Sequence, residues 1–573
     1  MVKKSAKADK PFMLPNLLFF GLFRRPAREA DMIHRAYIIY YWRQCRTSWE
    51  RLNVLKEFLL SPINIIKDIK RWSGKLGRLV AECCKKSVLR QRLEQFYLNY
   101  FFSINSENYY LQEFYREDGM ERARHFVNKG AIKNGVYRVL TSYGHSLNWG
   151  HEVCSLGKKS IFYKFSLKHG IPVVPVLMEI KADGTIINYR ESTDYPPGLP
   201  EESLFCKPNR DNEGEGAEVW LWKGEDTFES PEGKRLNRQE LMQRLVHLAS
   251  RHEKSGSYIV QPIALPHRDL AAFRKNATPT LRLITFIDLK GKVQVDSGMF
   301  KFSVDPLTVV DNANAGGMIA PIDLETGMLG AATDDGLTVP GTRWERHKEN
   351  NSPIEGRILP CWEETMELVR SAHKLFPHRL LIGWDVLITD QGPMILEGNS
   401  QPGLCFIQRA HLRPLGKTAA GRAAAANCKM AVKSLYNGVI GDESFSGEGK
   451  IDLYSGSRIK RLLSWLLISN KKKVRLQIYG KVQGVGYRRW LRKQARRHKL
   501  NGWAHNQPDG TVEAVLRGRA VDIEDVARAC WVGPQRAKVK LVTASWFTGP
   551  VKRGFIRDIS AESSQIKRVQ ENE

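Results

Sequence analysis

The sequence predicts a multidomain α+β protein. A chain of 573 residues is too long for one hydrophobic core, and 42% hydrophobic with 26% charged residues is typical of a soluble globular protein. The pattern also changes near residue 130, from helical spacing to short β-rich runs between Gly, Pro and Asp turns. We therefore expect five segments: a basic helical region (1–130), an α+β or α/β body (131–437), a linker with a basic apolar segment (438–472), a small C-terminal domain (473–560) and a polar tail (561–573).

The first segment carries aromatic and aliphatic residues among Arg and Lys at three-to-four spacing, as in Ile33, Tyr37, Tyr40 and Tyr41. Before it, Phe12–Phe23 follows four lysines and resembles a signal peptide, but it contains Pro15 and Asn16 and no cleavage site follows it. No apolar run reaches the roughly 18 residues that span a bilayer. For this segment and for Leu462–Ile468, packing within the protein and a peripheral membrane contact are the two alternatives.

The charge of the chain is strongly positive, at +28, and it is concentrated near the C-terminus. Between Arg458 and Lys499 there are fifteen Lys or Arg and no Asp or Glu. Such a run can attract an anionic substrate, an acidic lipid surface at the inner membrane face, or a nucleic acid. No nucleic-acid motif accompanies it, so we expect no nucleic-acid partner. Nine cysteines without a C-x-x-C pair indicate a reduced, cytoplasmic protein.

The body begins with short runs that predict strands, and it ends with a helix. The predicted strands are Ile171–Val176, Tyr258–Val260 and Leu281–Ile287, and the alanine-rich Thr418–Leu435 predicts the closing helix. Strands that alternate with helical segments are consistent with one large α+β or α/β domain.

The most informative part of the body is Gly383–Asn399, in which two apolar runs flank a Thr-Asp-Gln-Gly turn. This pattern predicts a β-hairpin. A turn centred on Gln391 places Asp385 across from Glu397, and Asn399 then projects from the same face. Two carboxylates and an amide oxygen suit Mg²⁺ bound to nucleotide phosphates. The alternative is an ordinary polar face on the hairpin.

An Asp followed by Glu-x-Asn on the neighbouring strand resembles the signature of the ATP-grasp superfamily, and more closely the sugar-transfer-associated ATP-grasp family. The supporting blocks are Thr280–Thr285, Asp311-Asn312 with Gly316-Gly317, and Gly398–Pro402 after Glu397. The resemblance implies ATP and Mg²⁺ as cofactors. By matching position it also implies nucleotide-binding roles for Lys159, Lys207, Gln261 and Lys301, and a catalytic role for Arg282 at the transferred phosphoryl group. For each lysine the alternative is an ordinary surface charge.

The sequence pattern of the C-terminal domain predicts the element order βαββαβ, which is that of a ferredoxin-like fold. Val474, Leu476 and Ile478 alternate as one strand face, and Arg488–His498 predicts a helix directly after a glycine loop. The loop Gln483-Gly484-Val485-Gly486 can turn its N–H groups toward an anion, and Arg488 adds a forked guanidinium. Together with Gly502-Trp503 and Asn506 it resembles acylphosphatases. That resemblance implies that Arg488 binds phosphate and that Asn506 orients the attacking water.

These two resemblances together imply a bifunctional enzyme. An ATP-grasp ligase converts a small-molecule carboxylate to an acyl phosphate, which an amine or a sugar-linked acceptor then attacks. An acylphosphatase hydrolyses the same class of compound to carboxylate and phosphate. Two alternatives remain open, an ATP-grasp kinase and an ATP-grasp enzyme whose C-terminal domain is a non-catalytic anion-binding module. The family's name suggests a role in cell-surface polysaccharide biosynthesis.

Overall fold

The chain folds as two units, which are described separately below. The computed structural model describes residues 28–44, 48–137, 156–189, 198–210, 216–251, 256–304, 309, 311, 316–334, 337, 340–377, 379–437 and 471–556. One unit takes in Met1–His34, Phe58–Lys133 and Val153–Ala425, and the other takes in Arg35–Glu57, Asn134–Glu152 and Ala426–Glu573. Residues 438–470 of the predicted linker (438–472) and the apolar segments at 12–23 and 462–468 lie outside the described residues, while Lys471 and Lys472 belong to a strand.

The expected helical region is present at the start of the chain. Its helices are α1 (Glu29–Gln44), α2 (Ser48–Cys84), α3 (Val88–Phe102), α4 (Ser106–Leu111), α5 (Gly119–Ala123) and α6 (Lys129–Ala131), followed by a π-helical stretch at Ile132–Tyr137. Ser87 caps α3 by accepting a hydrogen bond from the N–H of Arg90, and Ser103 ends it in a left-handed conformation. The hydrophobic core of this region includes Leu76, Leu98, Tyr109, Tyr110 and Phe114.

A seven-stranded antiparallel sheet follows in the first unit. Its strand order is β2-β1-β7-β3-β4-β5-β6, with β1 (Met178–Lys181), β2 (Ile186–Asn188), β3 (Leu204–Pro208), β4 (Glu218–Trp222), β5 (Thr227–Glu229), β6 (Arg235–Asn237) and β7 (Ser257–Pro262). Helix α7 (Lys159–Lys168) precedes β1, and helix α8 (Arg238–Arg251) precedes β7.

The strand predicted at Ile171–Val176 does not form. Only a single bridge joins Val173 to Ile395, flanked by hydrogen bonds from the N–H of Ile395 to the carbonyl of Pro172 and from the N–H of Val174 to the carbonyl of Ile395. Pro172 and Pro175 have no N–H groups to continue a ladder, so the segment stays a short connection despite its β-branched residues.

A second antiparallel sheet, of five strands, forms the rest of the body. Its order is β10-β9-β8-β11-β12, with β8 (Thr280–Ile287), β9 (Val293–Phe302), β10 (Met318–Ile322), β11 (Leu381–Thr389) and β12 (Gly392–Asn399). Its helices are α9 (Trp362–Lys374), α10 (Leu404–His411) and α11 (Ala419–Asn437), the last of which matches the predicted closing helix. Every residue of β11 is buried, which makes this strand the centre of the body's core.

The β11–β12 hairpin forms as predicted, but its register is reached differently. The turn contains two residues, Asp390 and Gln391, because Thr389 pairs directly with Gly392. From there the pairing is regular as far as Val386 opposite Ile395, and then Leu396 is left over as a β-bulge. The bulge shifts the register by one residue, so Asp385 does lie opposite Glu397. The predicted centre of the turn was therefore wrong, and the predicted pairing is confirmed.

The C-terminal domain in the second unit has the predicted βαββαβ order and one additional short strand. Its elements are β13 (Lys471–Lys481), α12 (Tyr487–Arg497), β14 (Asn501–Asn506), β15 (Val512–Arg519), α13 (Ala520–Val532), β16 (Lys538–Trp546) and β17 (Phe555–Ile556). The sheet order is β16-β13-β15-β14-β17. Val474, Leu476 and Ile478 are fully buried in its core, as their alternation predicted.

Candidate functional site

The predicted metal ligands Asp385, Glu397 and Asn399 come together on one face of the hairpin. The Asn399 side-chain nitrogen lies 3.3 Å from Oδ2 of Asp385 and 3.1 Å from Oε1 of Glu397. Both carboxylates therefore point toward the same amide group. The cross-strand pairing of Asp385 with Glu397 and of Gly383 with Asn399 produces this convergence.

Two predicted cations surround Asp385 from the neighbouring strands. Arg282 lies directly opposite Asp385 in the β8–β11 pairing and binds both carboxylate oxygens, one of them through Nη2 at 2.7 Å. Lys301 places Nζ 3.6 Å from Oδ1 of Asp385 and 3.2 Å from Oδ1 of Asp311. Burial alone would raise the pKa of Asp385, but the charges of Arg282 and Lys301 outweigh it and lower the pKa to about 2.

The other two predicted lysines reach the site from the seven-stranded sheet. Lys159, the first residue of α7, places Nζ 3.7 Å from Oε2 of Glu397. Lys207 lies in β3, and burial lowers its pKa to about 8, although Glu397 partly counteracts that effect. Burial would raise the pKa of Glu397, but the nearby lysines keep it below its usual range. Positive charge from α7, β3, β8 and β9 thus meets negative charge from β11 and β12 at one place.

Asn209, two residues after Lys207, holds the lysine-bearing elements together. Its carbonyl accepts from the N–H of Lys159 at 3.1 Å, and its Oδ1 accepts from the N–H of Ser160 at 2.9 Å. Its Nδ2 donates to Glu179 at 2.7 Å, with Ser160 and Ser257 hydroxyls also within 3.1 Å. The side chain is fully buried. Sequence reasoning missed this residue, since its only signal was its position beside Lys207.

Gln261, one of the predicted nucleotide-binding residues, lies in β7 and contacts the segment that bridges to the second sheet. Its Nε2 donates to the carbonyls of Val174 and Pro175 at 3.3 and 3.1 Å, on the segment that bridges to Ile395 of β12. Its Oε1 is buried and has no hydrogen-bond partner among the described residues. An orphaned buried acceptor of this kind suits an amino group of a ligand.

The residues present fit both ATP and Mg²⁺. Lys159, Lys207, Arg282 and Lys301 outnumber the carboxylates of Asp311, Asp385 and Glu397, which leaves a positive balance for a polyphosphate. Two carboxylates and an amide oxygen, which Asn399 can present by rotating its side-chain amide, form a hard-oxygen donor set of the kind that Mg²⁺ prefers. No group of three His, Cys, Asp or Glu side chains among the described residues offers a different metal site.

The second predicted site lies at the start of α12 in the C-terminal domain. Gly484 and Gly486 have φ of +70° and +77°, and Gly486 is the N-cap of α12. Left-handed residues at alternate positions ahead of a helix are typical of an anion-binding nest. Val485 packs against the domain's core, and Arg488 lies in the first turn of the helix. The predicted loop and its arginine are thus adjacent in the fold as well as in sequence.

Gln483 fastens this loop to the strand that carries Asn506. Its Nε2 donates to the carbonyls of Gln507 and Thr511 at 2.7 and 2.8 Å. Asn506 is the last residue of β14, immediately before Gln507, and its side chain is exposed. Two hydrogen bonds therefore link the phosphate loop to the hairpin at the point where the predicted water-orienting amide stands.

Two glycines near this site are required by close backbone packing. A Cβ on Gly480, where φ is +117°, would lie 2.2 Å from the carbonyl oxygen of Lys538. A Cβ on Gly502, where φ is +146°, would lie 1.8 Å from the carbonyl oxygen of Val515. Both positions combine a left-handed backbone with contact to a neighbouring strand, so only glycine fits. They define the shape of the sheet under the phosphate loop.

His505 belongs to the opposite strand face from Asn506, because adjacent residues of a strand alternate. Its ring stacks on Trp503 with centroids 4.5 Å apart, and its Nε2 lies 3.2 Å from Oε2 of Glu513. Burial would raise the pKa of Glu513, but His505 and Arg475 lower it overall. This placement makes His505 a residue of the strand surface.

Comparisons with known proteins match the two segments of the chain that contain these candidate sites. Residues 138–420 match the family model described as sugar-transfer associated ATP-grasp, and residues 474–556 match the acylphosphatase model. The C-terminal domain is 42% identical over 82 residues to the acylphosphatase of Acidiphilium cryptum, which covers 14% of this chain and 90% of that protein. It is 44% identical over 86 residues to the acylphosphatase of Thermococcus kodakarensis, which covers 15% and 94%.

Two solved structures are also similar to parts of the chain. An acylphosphatase from Coxiella burnetii is 31% identical, with a TM-score of 0.15, and covers 15% of this chain and 93% of that one. A D-alanine–D-alanine ligase from Bacillus anthracis complexed with ATP is 12% identical, with a TM-score of 0.26, and covers 48% and 66%. From the family matches, the chain carries a sugar-transfer associated ATP-grasp domain and, through residues 474–556, belongs to the acylphosphatase family.

Proposed function

We propose that this protein makes acyl phosphates at one site and hydrolyses acyl phosphates at another. In the first reaction, ATP phosphorylates a small-molecule carboxylate, and an amine or a sugar-linked acceptor then displaces phosphate. In the second, the C-terminal domain converts an acyl phosphate to carboxylate and phosphate. The observation that carries the proposal is the presence in one chain of two anion sites suited to one class of compound. The second activity would edit or limit the first.

At the ATP-grasp site, each proposed role follows from the charge and position of a side chain. Lys159 and Lys207 would bind ATP phosphates, and the unpartnered Oε1 of Gln261 would accept a hydrogen bond from the amino group of adenine. Asp385, Glu397 and Asn399 would hold Mg²⁺, which when bound neutralises phosphate charge. These residues support ATP binding whatever the second substrate is.

Phosphoryl transfer requires cations fixed where negative charge develops. A carboxylate oxygen of the substrate attacks the γ-phosphorus, the bond from that phosphorus to the bridging oxygen breaks, and ADP leaves. Arg282 and Lys301 stand over Asp385 from adjacent strands and would stabilise the transferred group. The acceptor nucleophile then attacks the acyl carbon, loses a proton, and expels phosphate.

Hydrolysis at the C-terminal site needs no covalent intermediate with the protein. A water oxygen attacks phosphorus, the bond from phosphorus to the acyl oxygen breaks, and the carboxylate leaves. The N–H groups of Gln483–Gly486 and the guanidinium of Arg488 would hold the phosphoryl oxygens, while Asn506 would orient the water. The tie from Gln483 to Gln507 keeps the two parts of this arrangement together.

The biological setting is also a proposal. The family description, sugar-transfer associated, supports an acceptor linked to a sugar and a role in cell-surface polysaccharide biosynthesis. The cysteine pattern of the sequence supports a cytoplasmic location. Neither the acid nor the acceptor is named by any residue of the two sites.

A single experiment tests the link between the two activities. ADP release is measured with ATP, Mg²⁺ and pooled carboxylic acids, without acceptor, in the wild-type protein, in Arg488→Ala and in the matched surface control Arg489→Ala. We expect idle ADP release in the wild type and in Arg489→Ala, and slower release in Arg488→Ala with an acyl phosphate that hydroxylamine traps as a hydroxamate. Equal ADP release in all three proteins, without trapped product, would count against the link.

The two alternative functions make different predictions. An ATP-grasp kinase would leave a stable phosphorylated product that hydroxylamine does not convert. A non-catalytic C-terminal module would show no turnover of benzoyl phosphate. We expect turnover that Arg488→Ala and Asn506→Ala both abolish, which would exclude the module.

A further inference from the structure

Helix α3 carries an apolar surface that the described residues leave uncovered. Leu89 and Leu93 are 69% and 65% exposed, and Phe96 is 37% exposed. With Tyr100 they follow the spacing i, i+4, i+7, i+11, which aligns them along one side of the helix. The rings of Phe96 and Tyr100 stack in parallel with centroids 5.9 Å apart. We call these four residues the α3 stripe.

Among the residues of α3 itself, those that border the α3 stripe with an exposed charge are positive. Helical geometry places Arg90 and Arg92 on opposite sides of it, and both side chains are exposed. The single carboxylate of α3, Glu94, is 12% exposed and is held by Lys86, Arg90 and the hydroxyl of Tyr109. The outer side of α3 thus presents apolar side chains between two cations, without an exposed acidic group.

We propose that the α3 stripe docks on a membrane surface that contains anionic lipids. An apolar side flanked by arginines is the arrangement by which an amphipathic helix lies in the headgroup region. The two arginines would meet lipid phosphates while the leucines and Phe96 enter the acyl boundary. No described helix is long and apolar enough to cross a membrane, and a helix that lies in the interface does not need to be.

The charges favour a lipid surface over a second copy of the chain. In a symmetric dimer the same stripe would face itself, and each copy would bring Arg90 and Arg92 to the same apolar contact. Arg90 would bring its own partner Glu94 into that contact, but Arg92, which donates to the hydroxyl of Ser73 at 2.9 Å, would lose water without gaining an acidic partner. An anionic membrane supplies the missing negative charge, and the chain's net charge of +28 draws it toward such a surface.

This proposal is independent of the chemistry at the two catalytic sites. The α3 stripe shares no residue with either site, nor with the apolar segments Phe12–Phe23 and Leu462–Ile468, which lie outside the described residues. A protein that acts on sugar-linked acceptors at a membrane would benefit from such docking. The docking would stand even if the proposed ligase reaction were wrong.

The test is co-sedimentation of the full chain with vesicles of phosphatidylcholine containing phosphatidylglycerol, and with phosphatidylcholine alone. The variant Leu89→Ser/Leu93→Ser is compared with the control Leu265→Ser/Leu289→Ser, which changes two isolated leucines that are 59% and 64% exposed. We expect the α3 variant to bind at least about tenfold more weakly and the control to bind normally. Arg90→Gln/Arg92→Gln should lose the preference for phosphatidylglycerol. The far-ultraviolet circular dichroism and the melting temperature of each variant verify that it is folded.

Hydrogen exchange locates the contact. Amides of residues 88–102 should exchange more slowly when phosphatidylglycerol vesicles are present. The proposal would be overturned if the wild-type chain failed to bind vesicles. It would also be overturned if the α3 variant and the control lost vesicle binding to the same extent. A dimer that Leu89→Ser/Leu93→Ser converts to a monomer would overturn it as well, since that would identify a second copy as the partner. Faster exchange in residues 88–102 after deletion of residues 1–27, without vesicles, would identify that segment instead.

Discussion

The ATP-grasp site and the acylphosphatase site are both proposed to bind phosphoryl groups, but they are built from different parts of the chain. In the first, buried side chains carry the charge: Asp385 pairs with Arg282 and Lys301, and Glu397 pairs with Lys159. In the second, a short glycine loop and one arginine act at an exposed helix start. Buried charges need long-range partners, whereas an exposed loop needs only the right backbone.

The largest expected effect tests the buried site. Asp385→Asn removes the carboxylate that Arg282 and Lys301 hold, so we expect ADP release to fall about a thousandfold or more. Benzoyl phosphate turnover should continue, because that site lies in the other unit. Asp390→Asn, in the turn of the same hairpin, is the matched control and should retain ADP release. If Asp385→Asn remains active, the hairpin is not the phosphoryl-transfer site.

The corresponding test of the exposed site is Arg488→Ala. Loss of the forked guanidinium should lower benzoyl phosphate turnover by about a hundredfold to a thousandfold, with little change in melting temperature. Arg488→Lys should recover only part of the activity, because a point charge does not reproduce a bidentate contact. Arg489→Ala is the matched control and should retain both the benzoyl phosphate turnover and the melting temperature of the wild type. A large loss of stability in Arg488→Ala would assign this arginine a mainly structural role.

Lys207 separates ligand binding from stability. Because burial lowers its pKa to about 8 from the usual 10.5, its charge is unfavourable in the folded protein below pH 8, and that cost disappears as pH rises from 8 to 10.5. Lys207→Met should therefore raise the melting temperature at pH 7 while weakening ATP binding about tenfold to a hundredfold. In the wild type, ATP affinity should fall above pH 8, and the variant should lose this dependence. Lys223→Met is a control at an exposed position.

Asn209 should matter through position rather than contact. Asn209→Ala leaves the N–H of Ser160 and the carboxylate of Glu179 short of partners, which we expect to cost about 1–3 kcal/mol of unfolding free energy and to weaken ATP binding about tenfold. Calorimetry measures the change in unfolding free energy, and ATP titration measures the change in ATP affinity. Unchanged ATP affinity in a destabilised variant would assign Asn209 a purely structural role.

Salt should produce the smallest effect, and it distinguishes the two sites most directly. Residues 471–556 contain twenty Lys and Arg against five Asp and Glu, and the acylphosphatase site is exposed. We expect kcat/KM for benzoyl phosphate to fall severalfold between about 0.05 and 0.5 M salt, because screening removes electrostatic attraction. At the ATP-grasp site, burial shields the pair of Asp385 and Arg282 from salt. The rate of ADP release should therefore depend less on salt concentration than benzoyl phosphate turnover does. Equal salt dependence at both sites would remove the distinction.

The sequence predicted the exposed site more completely than the buried one, for a physical reason. Gln483–Gly486 and Arg488 form a continuous segment, so local conformation alone brings them together. The buried site depends on pairing between distant strands, and for Arg282 and Lys301 only a family resemblance suggested it. Asn209 had no sequence signal, because its role depends on how α7 meets β3 in three dimensions.

The hairpin shows how a correct prediction can rest on an incorrect detail. Directly opposed residues across a two-residue turn are separated by an odd number, but Asp385 and Glu397 are twelve apart. An even separation requires either an odd loop or one extra residue in a strand. The sequence could not distinguish the two. The structure has a two-residue turn and places the extra residue at Leu396.

The bulge at Leu396 also bears on how this hairpin tolerates changes in length. Removing Leu396 would close the bulge, leave the glutamate opposite Asp385, and keep every other side chain of β12 on its present face. Removing Pro393 or Met394 instead would also keep Glu397 opposite Asp385, but it would transfer Ile395 to the other face of β12. In related chains whose β11–β12 hairpin is one residue shorter, we therefore expect the residue that corresponds to Leu396 to be the one that is missing.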